Sequence, residues 1–113
     1  MTRLEALTEL RDKVRAGVVP ADKCARDLGL NGVNDINQIY EAYNGSLDAA
    51  KALHEAVFPG FDALIGILNP SWVQIFEPVD DEWEEVSSAE ADNAARAWLI
   101  AILRSLIAQE VAS

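Results

Sequence analysis

From Ala94 to Ile107 the chain reads AARAWLIAILRSLI, and only Arg96, Arg104 and Ser105 interrupt its apolar character. Coiled at about 100° per residue, such a segment points apolar groups in almost every direction. A helix of this kind cannot lie on a surface. The rest of the chain must be built around it. The run is too short to span a bilayer, and Arg104 falls inside it. One sheet face covers only a stripe of a helix, so the uninterrupted stretch Ala97 to Leu103 needs a second cover. Either other helices supply it or a second subunit does. The expectation is a homodimer, with Trp98 and Ile102 as subunit contacts.

The N-terminal half is helical by pattern. Thr2 and Glu5 form a capping box, and Leu4, Leu7, Leu10 and Val14 make one apolar stripe. The first helix is expected from Arg3 to Ala16, ended by Gly17 in a left-handed conformation. Pro20 then suits the start of a second helix, Ala21 to Leu28, with a stop at Gly29. A short helical turn is expected from Asp35 to Ala42, broken by Asn44-Gly45. Ser46 caps the next helix, in which Leu47, Ala50, Leu53, Ala56 and Val57 keep the helical period up to Pro59-Gly60.

The period then changes. Phe61 to Ile67 and Ser71 to Phe76 are rich in β-branched and aromatic residues, with Leu68-Asn69-Pro70 between them as a turn. A third short strand is expected at Glu82 to Val86. Ser87-Ser88 is read as the cap of the last helix, with Glu90 and Asp92 in its first turn. Both long strands are apolar on both faces, which calls for cover on both sides. The fold expected is α+β: an α/β/α sandwich in which helices flank a small three-stranded antiparallel meander and a long helix closes the chain. All 113 residues belong to one domain. Its core is expected to hold Leu47, Leu53, Phe61, Ile65, Trp72, Phe76, Trp98, Ile102 and Ile107.

Charge narrows the function. The formal net charge is −10. From Phe58 onward Arg96 and Arg104 are the only bases, so most of the excess lies there. Nucleic-acid backbones and anionic membranes both attract basic surface, so neither direct nucleic-acid binding nor a membrane partner is expected. The one cysteine, Cys24, excludes an internal disulfide and reads as a small buried hydrophobe. The one histidine, His54, lies near Lys51 and Glu55 and reads as a satisfied or surface residue. No phosphate loop, nucleophile elbow, metal-binding histidine pair or dinucleotide fingerprint is present. Enzyme activity, a cofactor and a metal are not expected. The charged stretch Thr2 to Arg15 does not read as a secretory leader, which points to the cytoplasm.

The block YNGSLDAAKALHEAVFPGF, Tyr43 to Phe61, resembles the phage ABA sandwich domain family of small bacteriophage and prophage proteins. The resemblance rests on Tyr43, Ser46-Leu47-Asp48-Ala49-Ala50 and Pro59-Gly60-Phe61. It continues in Trp72, Trp83 and the alanine-rich last helix with Leu103-Arg104. The family usually has Trp where this chain has Phe61, and a proline where it has Ser88-Ala89-Glu90-Ala91. The resemblance implies a viral origin and the cytoplasm of an infected bacterial host. It implies no reaction and no catalytic residue.

The acidic run from Glu77 to Asp92 contains no base. It reads as a solvated edge, or as a docking surface for a basic partner in which Asp80, Asp81, Glu82, Glu84 and Glu85 make the contacts. The spacing of a calcium loop is absent. Three functions are consistent with these features. The first is a non-enzymatic accessory protein that binds a host or phage protein and inhibits a bacterial defence system. The second is a sponge for a small phosphorylated nucleotide signal, gripped by Arg96 and Arg104 at a subunit interface. The third is a structural or assembly component of the virion.

Overall fold

The computed structural model describes residues 3–17, 39–67 and 70–112. Its elements in chain order are α1 (Arg3–Arg15), α2 (Leu47–Val57), β1 (Asp62–Gly66), β2 (Ser71–Val79), β3 (Glu82–Ala91) and α3 (Ala94–Ala112). Residues 39–43 are helical as well. The class is α+β, with one antiparallel sheet in the order β1-β2-β3 and a long C-terminal helix. The expected helix Ala21 to Leu28, the Thr2 cap, Cys24 and most of the Leu68-Asn69-Pro70 turn lie outside the described residues.

The helix ends follow from local chemistry. Gly17 closes α1 at φ +77° and donates to the Val14 carbonyl at 3.2 Å. Gly45, at φ +108°, and Ser46 donate back to Ala42 and Glu41 at 3.1 and 2.8 Å, which ends the preceding helical turn. Ser46 also opens α2, where its side chain accepts the Ala49 N–H at 3.2 Å. Only Asn44, Gly45 and Ser46 separate the two helical segments.

The last helix is the middle layer. Eleven of its residues are buried, including Ala97, Trp98, Leu99, Ile100, Ala101, Ile102 and Leu103 in unbroken sequence. On one side it packs against β2 and β3, and on the other against α1 and α2. The described layers therefore run sheet, α3, then α1 and α2. The physical reason is the apolar circumference of α3, which needs a sheet on one flank and helices on the other. Trp98 is 6% exposed and Ile102 is 0% exposed within the single chain. Both are already covered within one chain and need no second copy to leave water. The cover that suggested a second copy comes from Ala6, Leu7, Leu10 and Val14 of α1 and from Leu53 of α2.

Strand phase corrects the expected core. Val73 and Ile75 are fully buried toward α3, and Ala63 and Ile65 of β1 pack on the same side. Trp72 and Phe76 stand on the opposite face and are half-buried. Leu47 opens α2 directly after its cap and is 42% exposed. Phe58, one residue beyond α2, is 1% exposed and stacks on Phe61 with ring centroids 5.0 Å apart.

The third strand is longer than expected, and Ser87-Ser88 caps nothing. Ser87, Ala89 and Ala91 pair with Ile75, Val73 and Ser71. Their small side chains let α3 approach the sheet closely. The Ser87 hydroxyl donates to the Ala101 carbonyl at 2.8 Å and lies 2.5 Å from the Ser105 hydroxyl. That contact explains the serine inside the apolar helix. Asn93 is the true cap: its side-chain oxygen accepts the Arg96 N–H at 2.8 Å and its carbonyl accepts Ala97 N–H at 3.0 Å. Glu90 therefore belongs to β3, and Asp92 to the turn before α3.

Candidate functional site

The acidic residues are gathered on one structural unit. β1 pairs with β2 from Trp72 to Phe76 only, so beyond Phe76 the β2–β3 hairpin continues as a two-stranded arm. Its pairs are Glu77 with Glu84, Pro78 with Trp83, and Val79 with Glu82. Asp80 and Asp81 make the turn, with Asp80 at φ 49°. Asp80, Asp81, Glu82, Glu84 and Glu85 are all exposed, and none is ion-paired among the described residues. Glu85 accepts the Gln74 side-chain N–H at 3.2 Å.

A β-bulge aims this arm. The register passes from Ile75–Ser87 to Phe76–Glu85, which leaves Val86 as the extra residue in β3. Such an insertion reverses the facing of every residue beyond it. Glu85 and Trp83 therefore share the outer face with Phe76 and Pro78 instead of turning toward α3. Trp83 is 55% exposed, with Glu85 on its own face and Glu82 and Glu84 on the other. Glu77 faces Glu84 across the ladder, a like-charge pair that disfavours the bare arm.

The two arginines singled out in the last helix do different work. Arg96 is committed internally. Its Nε and Nη2 donate to the Tyr43 carbonyl at 3.1 and 3.0 Å, and its guanidinium carbon lies 4.2 Å from the Tyr43 ring centre. It ties the 39–43 helical turn to α3. Arg104 lies at the edge of the sheet, where Nη1 donates to the Ser88 carbonyl at 2.6 Å. Arg96 and Arg104 do not converge on one anion. Arg104 instead shares a cleft of about 580 Å³ with Arg15 of α1, a residue that sequence spacing did not single out. Burial lowers the Arg104 pKa from its ordinary value, and the nearby positive charges of Arg15 and Arg11 lower it further.

His54 is 4% exposed, with both ring nitrogens occupied. Nδ1 accepts the Trp98 indole N–H at 3.2 Å, so the proton sits on Nε2, which donates to the Phe61 carbonyl at 3.1 Å. The imidazole is a buried connector between α2, α3 and the start of the sheet. Lys51 and Glu55 pair with each other at 3.9 Å on the exposed side of α2. Among the described residues no group of three or more His, Cys, Asp or Glu is placed to hold a metal ion. No described helix is long and apolar enough to cross a membrane. No family profile, curated protein or solved structure matches the chain.

Proposed function

We propose that this chain is a non-enzymatic accessory protein of a bacteriophage or prophage that binds a basic protein partner through the β2–β3 arm. The observation that carries this reading is Trp83, 55% exposed on the outer face of an arm whose turn and strand carry Asp80, Asp81, Glu82, Glu84 and Glu85, with Glu85 on the same face. Tryptophan anchors are enriched among the residues that dominate binding energy, and carboxylates around one select a cationic surface. The resemblance of Tyr43 to Phe61 to phage proteins supports the viral setting and a role in the host cytoplasm. Inhibition of a bacterial defence component is the action that suits such a surface.

The test is capture from phage-infected host lysate with tagged wild type, Trp83→Ala, and the triple variant Asp81→Lys, Glu84→Lys, Glu85→Lys. Wild type should retain a basic protein that both variants lose, and the retention should fall as salt rises. Circular dichroism of the variants should match wild type, because every altered side chain is exposed. The same protein retained equally by all three would overturn the arm as the binding surface.

A further inference from the structure

The Arg15–Arg104 cleft stands apart from the arm in both charge and position. Its floor is the outer face of β2 and β3, where Trp72 pairs with Glu90 and Gln74 with Ser88. Its wall is at the free edge of β3, where Arg15 arrives from the end of α1 and Arg104 from α3. A volume of about 580 Å³ suits a small organic molecule.

Two cations meet here in a chain of net charge −10. Arg11 is paired with Asp12 at 3.1 Å, whereas Arg15 is exposed and has no ion-pair partner among the described residues. Arg104 spends Nη1 on the Ser88 carbonyl and leaves its other N–H groups without a partner among the described residues. Burial and the neighbouring positive charges disfavour its cation, a cost that an anion in the cleft would cancel. The floor supplies a flat surface. A Cβ at Gly66 would lie 2.1 Å from the Trp72 ring, so the indole lies directly over that glycine and flat on the sheet. Gly66 sits on β1 and the arginines stand at the far edge of β3. Two strand spacings, about 10 Å in all, separate ring from cations.

We propose that this cleft binds a nucleoside monophosphate, with the phosphate on Arg15 and Arg104 and the base against Trp72. A ring and a phosphate joined by a sugar span the required separation. Arginine forks match phosphate oxygens geometrically, and an indole face stacks on any base. Glu90 lies on the floor between the two ends. Its carboxylate accepts hydrogen bonds from ribose hydroxyls and repels additional phosphates, which selects a monophosphate over a triphosphate. The cleft is formed within one chain and does not include Arg96.

Calorimetry with AMP, ATP, adenosine, ribose 5-phosphate and inorganic phosphate tests this directly. AMP should bind, and each of the other four should bind about tenfold more weakly or not at all. Arg15→Ala should weaken AMP by about tenfold or more while the circular dichroism and unfolding midpoint stay at wild-type values. Glu90→Gln should narrow the preference for AMP over ATP, a readout that a merely structural residue would not move. Absence of AMP binding at millimolar concentration, equal binding of AMP and inorganic phosphate, or an Arg15→Ala protein that binds AMP as wild type does would each overturn the proposal. None of these results bears on partner capture by the Trp83 arm.

Discussion

Replacing His54 by leucine and Trp98 by phenylalanine, singly and together, measures the buried connector that joins α2 to α3. The histidine is 4% exposed and the tryptophan 6% exposed, and they meet at 3.2 Å. His54→Leu strands the indole N–H in the core and also removes the donor to the Phe61 carbonyl. Trp98→Phe strands the Nδ1 lone pair. A buried polar group left without its partner costs about 1–3 kcal/mol. The double variant contains neither stranded group of that pair. The loss at Phe61 recurs in it unchanged, as does the loss of the larger indole ring, so both cancel in the cycle. The double variant should therefore be destabilised by less than the sum of the single variants, by the two penalties together, about 2–6 kcal/mol. Urea unfolding followed by far-ultraviolet circular dichroism reads this, with equal m-values as the check that the unfolded states are comparable. Additivity to within about 0.5 kcal/mol would refute the reasoning, because it would mean that the two side chains do not depend on each other in the folded protein.

Two further comparisons, each of a pair of substitutions, probe the sheet and its junction with α3. Gly66→Ala should cost about 1–3 kcal/mol by pushing the Trp72 indole off the sheet. Trp72→Ala should abolish that increment, measured as the difference between backgrounds in urea unfolding. Asn93→Ala should cost about 1 kcal/mol through loss of the helix cap, while the same change at Ser88, whose side chain caps nothing, should leave the unfolding midpoint nearly unmoved.

Local chemistry is what reads directly from a chain, and the helix ends show it. Ser46 caps α2, and Gly17 and Gly45 take left-handed angles, because each depends on residues only a few positions away. The antiparallel order of the three strands follows for the same reason, since short connections leave neighbours little choice. Strand phase was harder. Trp72 and Phe76 are the larger residues, yet Val73 and Ile75 face the core, because on a strand apolar on both faces residue size does not choose the buried side. The Ser-Ser pair before α3 has the composition of a cap. Its alternation with Ala89 and Ala91 suits a strand beneath a close helix, and that packing decided the outcome.

The candidate sites divide in the same way. The carboxylates of the arm were legible as a run without bases. That Trp83 stands exposed among them was not, because it depends on the bulge at Val86 and on β1 ending opposite Phe76. Arg104 was legible as a base in an apolar helix. Its neighbour in the cleft is Arg15, at the far end of the chain, a pairing that only the packing of α1 on α3 creates.

By itself the sequence determined that Ala94 to Ile107 must be buried on most of its circumference, since so many apolar groups on one helix leave no side for water. It determined the elements available to do so and the excess of negative charge among them. The tertiary structure decided what covers the helix. The sheet takes one flank and α1 with α2 take the other, so Trp98 and Ile102 are interior residues of a single chain. Stacking is a matter of long-range complementarity between faces, and the small inward residues Ser87, Ala89 and Ala91 of β3 are what admit the helix to the sheet.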